Sequence, residues 1–414
     1  MVKKTILMFF VFTYSTFTFS WPFEQINSWV PDYNSRSILP DIDSLPDILK
    51  ELPTLQTKIP HVSLGNFPAP VRKLGKLGEA IGSDRLYFKD DGPCAPYFGG
   101  NKVRKLEFLL ADALYSDAGS IMAIGDAGSN CVLAALAQAK RVGFSDVYCL
   151  LGPQLNTSYL RRNLLMDLFH NGIIKYYESE QDQEDAIWQH SSSLQDAGKP
   201  PYIVTWGGTC PIGFLGYMNA AFELKKQIED GLLPEPDYIY VPLGSTGTAG
   251  GLIIGAQLAG LKSVIIPVAI SGKNGDAYFR TEKLAERINE AIDFFTNLDP
   301  NFPAQKVSAS DIEYRQNFAN YRYAEVRELE ATALQELFDH ENIKLEGTYT
   351  GKALTAMLSD IKNNQHLQGK TILFWNTFCY GTFEDVTNSV DYKDLPEGLH
   401  RYFETDIQSF DSGL

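Results

Sequence analysis

Residues 99–107 read Gly99-Gly100-Asn101-Lys102-Val103-Arg104-Lys105-Leu106-Glu107, a glycine-rich loop that runs into an amphipathic segment. Apolar residues recur after it at helical spacing, at Leu106, Leu109, Leu110, Ala113 and Leu114. The pattern predicts a helix that begins near Lys102 with Asn101 as its cap. The helix dipole and the neighbouring Arg104 and Lys105 disfavour an ammonium there, so we expect a lowered pKa and a free amine nucleophile at Lys102. Taken alone, the stretch leaves open a solvated surface lysine.

A second glycine-rich loop covers Gly244-Ser245-Thr246-Gly247-Thr248, between a predicted strand over 237–243 and a predicted helix over 248–259. Glycines let the backbone approach an oxyanion, and successive amides with a helix N-terminus neutralise its charge. The loop lacks the Walker lysine and the GxGxxG spacing, which disfavours a nucleotide. It is typical of a phosphate site, with a bare glycine turn as the alternative.

The composition indicates a folded protein with a small-molecule partner. The chain has 414 residues, of which 44% are hydrophobic and 12% aromatic, enough for two domains with substantial cores. The net charge of -15, with no dense basic patch outside 102–105, argues against a nucleic-acid or anionic-membrane partner. The five cysteines show neither metal-ligand nor disulfide-framework spacing, so we predict no metal site.

The N-terminus is typical of a secretory signal. Lys3 and Lys4 precede an apolar run over 5–14 and then small and polar residues to Ser20. The run is too short for a transmembrane helix, and a hydrophobic arm that packs on the body or mediates association is the alternative. Residues 21–60 are rich in proline and acidic groups, which predicts a linker or an extended arm.

The body predicts an α/β fold with mostly parallel sheets. From Leu86 onward, short apolar runs alternate with helical patterns. One predicted βαβ unit comprises a strand over 120–125, a helix over 131–142 and a strand over 146–152. A second comprises a strand over 237–243, a helix over 248–259 and a strand over 263–270.

Five blocks in a fixed order carry a resemblance to a known family. They are LYFKDDG (Leu86–Gly92), GGNKVRKLEF (Gly99–Phe108), GSN (Gly128–Asn130), GSTGTAGGL (Gly244–Leu252) and YTGKA (Tyr349–Ala353). In these blocks the chain resembles the pyridoxal-phosphate (PLP) enzymes that include 1-aminocyclopropane-1-carboxylate deaminase and D-cysteine desulfhydrase. The resemblance implies fold type II, in two domains of three αβα layers with mostly parallel sheets. It further implies a large PLP-binding domain over 61–104 and 203–414, a small domain over 105–202, and the cofactor between them.

The resemblance also assigns roles around the cofactor. Lys102 would bind pyridoxal 5'-phosphate covalently, and Asn130 would hydrogen-bond its ring hydroxyl. Ser129, with nearby amides, would receive the substrate carboxylate. The phosphate would be held by Gly244, Ser245, Thr246, Gly247 and Thr248. Cys131 and the preceding Asp126-Ala127-Gly128 depart from the family pattern, which bears on the substrate-carboxylate pocket.

Two tyrosines and two threonines complete the implied site. Tyr323 and Tyr349 align with active-site tyrosines that could polarise a substrate or move a proton. Thr350 and Thr377 match the desulfhydrase-like members, whereas the deaminases carry Glu and Leu there. A neutral partner beside the ring nitrogen makes the ring a weaker electron sink, which suffices for β-elimination. Phe378 departs from the family's glycine and is expected to narrow the pocket.

The resemblance implies a PLP-dependent lyase of small amino acids, most like D-cysteine desulfhydrase, which would give pyruvate, ammonia and sulfide. The alternative within the family is 1-aminocyclopropane-1-carboxylate deaminase. An alternative from another class is an exported, non-catalytic PLP or amino-acid binding protein, supported by the altered Cys131 and Phe378 positions. We also expect a homodimer.

Overall fold

The computed structural model describes residues 45–411 except 274–275, 278–279, 320–321 and 382. The helices are α1 (Asp47–Glu51), α2 (Pro53–Gln56), α3 (Gly75–Ile81), α4 (Lys102–Tyr115), α5 (Asn130–Arg141), α6 (Ser158–Phe169), α7 (Glu180–Asp196), α8 (Pro211–Glu229), α9 (Gly247–Ala259), α10 (Thr281–Leu298), α11 (Glu328–Glu341), α12 (Thr350–Asn363), α13 (Glu384–Thr387) and α14 (Arg401–Glu404). The strands are β1 (Val71–Lys73), β2 (Leu86–Asp90), β3 (Ser120–Asp126), β4 (Val147–Gly152), β5 (Ile173–Tyr176), β6 (Pro201–Val204), β7 (Tyr238–Leu243), β8 (Val264–Ala269), β9 (Gly272–Lys273), β10 (Asp276–Ala277) and β11 (Ile372–Asn376). Within these described ranges, no helix has the length and apolar character needed to cross a bilayer.

A five-stranded sheet in the order β1-β2-β11-β7-β8 forms the centre of the larger layer structure. Only β1 is antiparallel to its neighbour in this sheet. Every residue of the central strand β11 is buried, as expected for a parallel strand covered on both faces. Leu373 and Trp375 pack in the core that includes α8, α9 and α10, whereas Ile372 and Phe374 pack with α11 and α12. The sheet is therefore the middle of three αβα layers.

A second sheet, β5-β4-β3-β6, is parallel throughout. Along β3, Ile121 and Ala123 share a core with α5, while Met122 and Ile124 pack in a separate cluster with Ile187 of α7. Helices thus cover both faces of this sheet as well. The domain boundaries at 105–202 stay a prediction.

The predicted α/β class with mostly parallel sheets is confirmed. Both predicted βαβ units are present, as β3-α5-β4 and β7-α9-β8. Alternating side chains on doubly covered strands explain why these segments could be recognised as short continuous apolar runs.

The described part of the predicted arm or linker forms α1 and α2 rather than extended chain. Ile48, Leu49 and Leu55 are buried in the core, and the Ile48 amide donates to Asn219 Oδ1 on α8 at 3.1 Å. Residues 45–60 therefore pack on the body. The signal-like segment 1–20 and the rest of the predicted arm, 21–44, lie outside the described residues.

The loops that follow the parallel strands carry the residues singled out from the sequence. β3 leads to Ser129, β7 leads to Gly244, β11 leads to Thr377, and the loop after β2 leads to Lys102. Ligand sites of parallel α/β sheets form at the carboxyl ends of the strands. The topology thus places these residues at the edges where a site is expected.

Candidate active site

Helix α4 begins at Lys102, as the sequence predicts, but Asn101 does not cap it. The backbone of Asn101 is already helical, at φ -57° and ψ -22°, whereas a capping residue is usually extended. Its side chain donates instead from Nδ2 to Thr248 Oγ1 at 3.0 Å. The predicted cap is therefore wrong, and Asn101 links the start of α4 to the second glycine loop.

The Lys102 amine has no partner in the part of the chain that the structure describes. It makes no hydrogen bond or ion pair there, and a Cβ placed on Gly207 would lie 3.4 Å from its Nζ. Burial lowers the pKa of Lys102, while the nearby Cys131 thiol acts in the opposite direction. The predicted direction is confirmed, but the predicted cause is wrong because the Arg104 guanidinium is paired with buried carboxylates elsewhere. Burial thus favours the unprotonated form of the Lys102 amine.

Lys105 lies one helical turn after Lys102 and points to the same region. It is buried, and its Nζ donates to the Gly207 carbonyl at 2.9 Å. A Cβ on Gly247 would lie 2.6 Å from Lys105 Nζ and 2.9 Å from Thr209 Oγ1. Burial, and then the charge of Lys102, lower the pKa of Lys105 well below its ordinary value. Among the described residues no carboxylate pairs with either amine, so this region lacks an anion.

The glycine loop after β7 supplies unpaired donors beside these amines. Thr246 has a left-handed backbone, φ 72°, and its buried hydroxyl has no partner among the described residues. Thr209 donates from Oγ1 to Ser245 Oγ at 2.8 Å, and α9 begins at Gly247. A helix N-terminus and a free hydroxyl donate hydrogen bonds to a dianion, and the charge of a dianion would in turn favour the protonated form of the Lys105 amine. The cradle fits the phosphate of PLP.

Asn130 is held for hydrogen bonding by a relay of side chains. Its Oδ1 accepts from Asn163 Nδ2 at 2.9 Å, which leaves its amide nitrogen available as a donor. The Oδ1 of Asn163 accepts in turn from Arg162, at 3.1 Å from Nε and 2.9 Å from Nη2. Ser129 caps α5, and its Oγ accepts from the amides of Cys131 and Val132. Asn130 therefore presents a donor that suits a ring hydroxyl.

Tyr323 and Tyr349 meet hydroxyl to hydroxyl. Their oxygens are 2.6 Å apart, and their rings cross at 73° with centroids 5.9 Å apart. A Cβ on Gly244 would lie 3.0 Å from Tyr349 Cε1, so Tyr349 lies over the start of the glycine loop. Burial raises the pKa of both phenols well above the ordinary value. Both tyrosines are therefore neutral proton donors at neutral pH.

Comparisons with known proteins identify the family of the chain. Residues 62–377, more than half of the chain, match the family described as "Pyridoxal-phosphate dependent enzyme". The chain belongs to this family. Its enzyme class and its dependence on pyridoxal phosphate, both expected from the sequence, are thereby confirmed, and the chain has the fold of type II PLP enzymes.

Individual relatives resemble most of the chain. A D-cysteine desulfhydrase of Yersinia pestis (strain Pestoides F) is 30% identical over 331 residues, covering 78% of this chain and 96% of the relative. A protein of Pyrococcus furiosus, provisionally named 1-aminocyclopropane-1-carboxylate deaminase, is 30% identical over 327 residues, covering 78% and 93%. A crystal structure of a homologue of ACC (1-aminocyclopropane-1-carboxylate) deaminase superposes on this chain with a TM-score of 0.68 at 27% identity. The superposition covers 81% of this chain and 95% of that chain. The sequence resemblance is confirmed.

The two threonines expected near the PLP ring nitrogen differ in whether their hydroxyls are already hydrogen-bonded. Thr350 is fully buried, and its Oγ1 donates to Glu346 Oε1 at 2.9 Å. The same carboxylate accepts from the amides of Thr348, Tyr349 and Thr350 at the start of α12. The hydroxyl of Thr377 makes no hydrogen bond within the described residues, while its carbonyl accepts from Asn101 N at 3.1 Å. Of the two, Thr377 offers the free hydroxyl.

Two of the residues that depart from the family pattern, Phe378 and Cys131, lie beside the candidate site. Phe378 is buried, with the Arg162 guanidinium 5.1 Å from its ring centroid and the Tyr159 ring edge-on at 6.5 Å. Cys131 is buried, and burial raises the pKa of its thiol. Both side chains are integrated into the packing of the site.

Sequence reasoning missed the contribution of Lys105, Thr209 and the Gly207-Gly208 pair. The contribution of Lys105 could have been predicted, because residues three apart on a helix share a face and Lys105 follows Lys102 by three positions. The two glycines have left-handed backbones, φ 66° and 61°, which bring the Gly207 carbonyl to Lys105. The position of these two glycines beside the phosphate cradle could not be predicted, because it depends on chain segments that are far apart in sequence.

Proposed function

We propose that this protein is a PLP-dependent lyase that catalyses β-elimination on a small amino acid, most like D-cysteine desulfhydrase. The observation that carries the proposal is the half-buried, unpaired amine of Lys102 beside an anion cradle that includes Lys105 and Thr246. The names of the relatives support this class of reaction.

The residues that would hold the cofactor follow from the free donors of the site. Lys105, Thr246 and the amides at the start of α9 would hold the phosphate, Asn130 would hold the ring hydroxyl, and Lys102 would bond covalently. When bound, PLP supplies an electron sink that stabilises negative charge at the substrate Cα.

In the proposed reaction, each side chain either transfers a proton or forms a hydrogen bond. The Lys102 amine, whose pKa is lowered by burial, is the base that removes the Cα proton. The N-terminus of α5 at Ser129 would receive the substrate carboxylate. The neutral phenols of Tyr323 and Tyr349 hold a proton near the departing group on Cβ. The released enamine hydrolyses to pyruvate and ammonia.

Thr377 favours β-elimination over ring opening in this proposal. Its free hydroxyl would be a neutral partner for the pyridine nitrogen of PLP. A neutral partner leaves the pyridine ring a modest electron sink, which suffices for β-elimination. Thr350 would support the site indirectly, since its hydroxyl is committed to Glu346 at 2.9 Å.

The proposed reaction is tested with the purified, cofactor-loaded protein. We expect D-cysteine to release sulfide and pyruvate in equal amounts, measured by methylene blue formation and lactate dehydrogenase coupling. 1-Aminocyclopropane-1-carboxylate should yield little 2-oxobutyrate, and L-cysteine is the chirality control. Preferred release of 2-oxobutyrate would favour the deaminase alternative, and no product from any β-substituted amino acid would contradict a lyase.

Replacing Gly247 by aspartate is expected to weaken cofactor binding at least about tenfold, which corresponds to ~1.4 kcal/mol. The new side chain would enter space within 2.6 Å of Lys105 Nζ, and its carboxylate would repel a phosphate. The dissociation constant is measured by absorbance titration of the apoprotein. Gly75→Asp, at the exposed start of α3 where a Cβ meets nothing, is the control for folding and added charge. Equal affinities in the two variants would contradict the phosphate assignment.

Two further expectations belong to this proposal. Residues 1–20 would direct export, and the enzyme would work as a homodimer. The first concerns a segment outside the described residues.

A further inference from the structure

Asp126 has a carboxyl group that neither the fold nor the proposed reaction employs. It is the last residue of β3, at the strand edge that leads to Ser129, whose amide donates to the Asp126 carbonyl at 2.9 Å. The side chain is half-buried and makes no hydrogen bond or ion pair within the described part of the chain. Enclosed carboxylates are usually paired because desolvation of the charge is costly. The Asp126 carboxyl group is therefore unusual in having no partner among the described residues.

The groups that act on Asp126 supply no positive charge. Glu180, the first residue of α7, acts on it with a charge of the same sign, and Asp126 also interacts electrostatically with Tyr323 and Tyr349. Burial, and then Glu180, raise the pKa of Asp126 to about 7. The Asp126 carboxyl in turn raises the pKa of both phenols. When Asp126 is ionised, none of the groups that act on it offsets its negative charge.

We propose that Asp126, unpaired at the end of β3 and near the Tyr323–Tyr349 pair, selects substrates that carry a second, cationic amine on Cβ. The smallest such amino acid is 2,3-diaminopropionate. A charge-assisted hydrogen bond between an ammonium and Asp126 is about twice as strong as a neutral one, and a thiol offers only a weak donor. The inference rests on the proposed β-elimination and names its substrate class.

The chemistry balances without a further reagent. Lys102 takes the Cα proton, and the bond between Cβ and nitrogen breaks with its electron pair going to nitrogen. Asp126 keeps this nitrogen protonated until it departs, so that it leaves as neutral ammonia. The enamine then takes up water, and the sum is diaminopropionate plus water giving pyruvate and two ammonia molecules. No oxidant or reductant is needed.

Asp126→Asn tests the inference because it keeps the shape of the side chain and removes the charge. With cofactor-loaded enzyme, pyruvate formation gives kcat/KM for the D- and L-forms of 2,3-diaminopropionate and of β-chloroalanine, which has a neutral side chain. Selectivity is kcat/KM for diaminopropionate divided by kcat/KM for β-chloroalanine. We expect Asp126→Asn to lower this ratio about 10- to 100-fold, mainly by raising KM for diaminopropionate. Asp185→Asn, an exposed carboxylate on α7, is the matched control and should leave the ratio unchanged.

The pH profile separates a charge effect from a packing effect. In the unaltered enzyme, kcat/KM for diaminopropionate should rise as pH increases through about 7, where Asp126 ionises, and this step should be missing in Asp126→Asn. An equal loss on both substrates, or an unchanged ratio, would overturn the inference. Turnover of β-chloroalanine alone by the unaltered enzyme would overturn it while leaving the proposed β-elimination intact. Failure on both substrates would contradict the proposed function and this inference with it.

Discussion

Replacing Lys102 by alanine is expected to abolish covalent retention of PLP and to lower turnover by about 10²–10⁴-fold from the lost proton transfer alone. We expect this amine to be the nucleophile because burial lowers its pKa and no group in the described chain pairs with it. After borohydride reduction and denaturation, the intact mass of the unaltered chain should include the cofactor. The Lys102→Ala chain should have the mass of the polypeptide alone.

Two lysine variants make this result specific. Lys76→Ala, on the exposed side of α3, should retain the adduct and full activity. Lys105→Met should also retain the adduct at saturating cofactor, because its amine faces the phosphate cradle, but should need more cofactor to reach it. An adduct that survives in Lys102→Ala and is lost in Lys105→Met would make Lys105 the anchor.

The fold and the start of α4 could be predicted from sequence because their signals are local. Parallel strands covered on both faces appear as short apolar runs, as in the fully buried β11, and helices show their 3.6-residue period. The glycine loop before α9 combines a strand end, a turn and a helix start within a few residues. Such features need no knowledge of distant partners.

The hydrogen-bond partners could not be predicted because they come from distant segments. Asn101 has the residue type of a cap, but Thr248, 147 positions away, takes its side chain. Thr350 has the residue type of a ring-nitrogen partner, yet the buried Glu346 accepts its hydroxyl and the first amides of α12. In both cases local chemistry permits two partners, and tertiary packing selects one.

Charged side chains in the core were equally hidden from sequence reasoning. Arg104 was expected to lower the pKa of Lys102 through its charge, and charged residues are rarely buried. It is instead 1% exposed and turned toward Asp91 and Glu223. Only the folded chain shows that two distant segments supply these partners.

These buried charges lie beneath the helix that carries Lys102. Arg104 donates to Asp91 Oδ1 from Nε at 3.0 Å and from Nη2 at 2.7 Å. It also donates to Glu223 from Nη1 and Nη2, both at 2.9 Å. Lys89 pairs with the same Glu223 carboxylate, and Trp375 Nε1 donates to Asp91 Oδ2 at 2.8 Å. Every charge in the cluster is compensated while all members are present.

Replacing Arg104 by methionine is expected to lower the free energy of unfolding by about 3–5 kcal/mol, because it leaves buried carboxylates without their partner. Urea unfolding at fixed cofactor concentration measures the change, since bound cofactor would otherwise shift the midpoint. Lys73→Met, an exposed cation on β1, should change it by less than about 0.5 kcal/mol. Equal midpoints for the two variants would contradict a stabilising role of Arg104.

The pH dependence gives an independent test of the same cluster. Burial alone would raise the pKa of Glu223, but Arg104 and Lys89 hold it at about 2 against an ordinary value of 4.5. A depressed pKa stabilises the fold above the unfolded value and loses this contribution as pH falls toward the folded value. The stability advantage of the unaltered protein over Arg104→Met should therefore shrink between pH 4.5 and about 2. An advantage that stays constant over this range would show that Arg104 stabilises α4 by packing rather than by its charge.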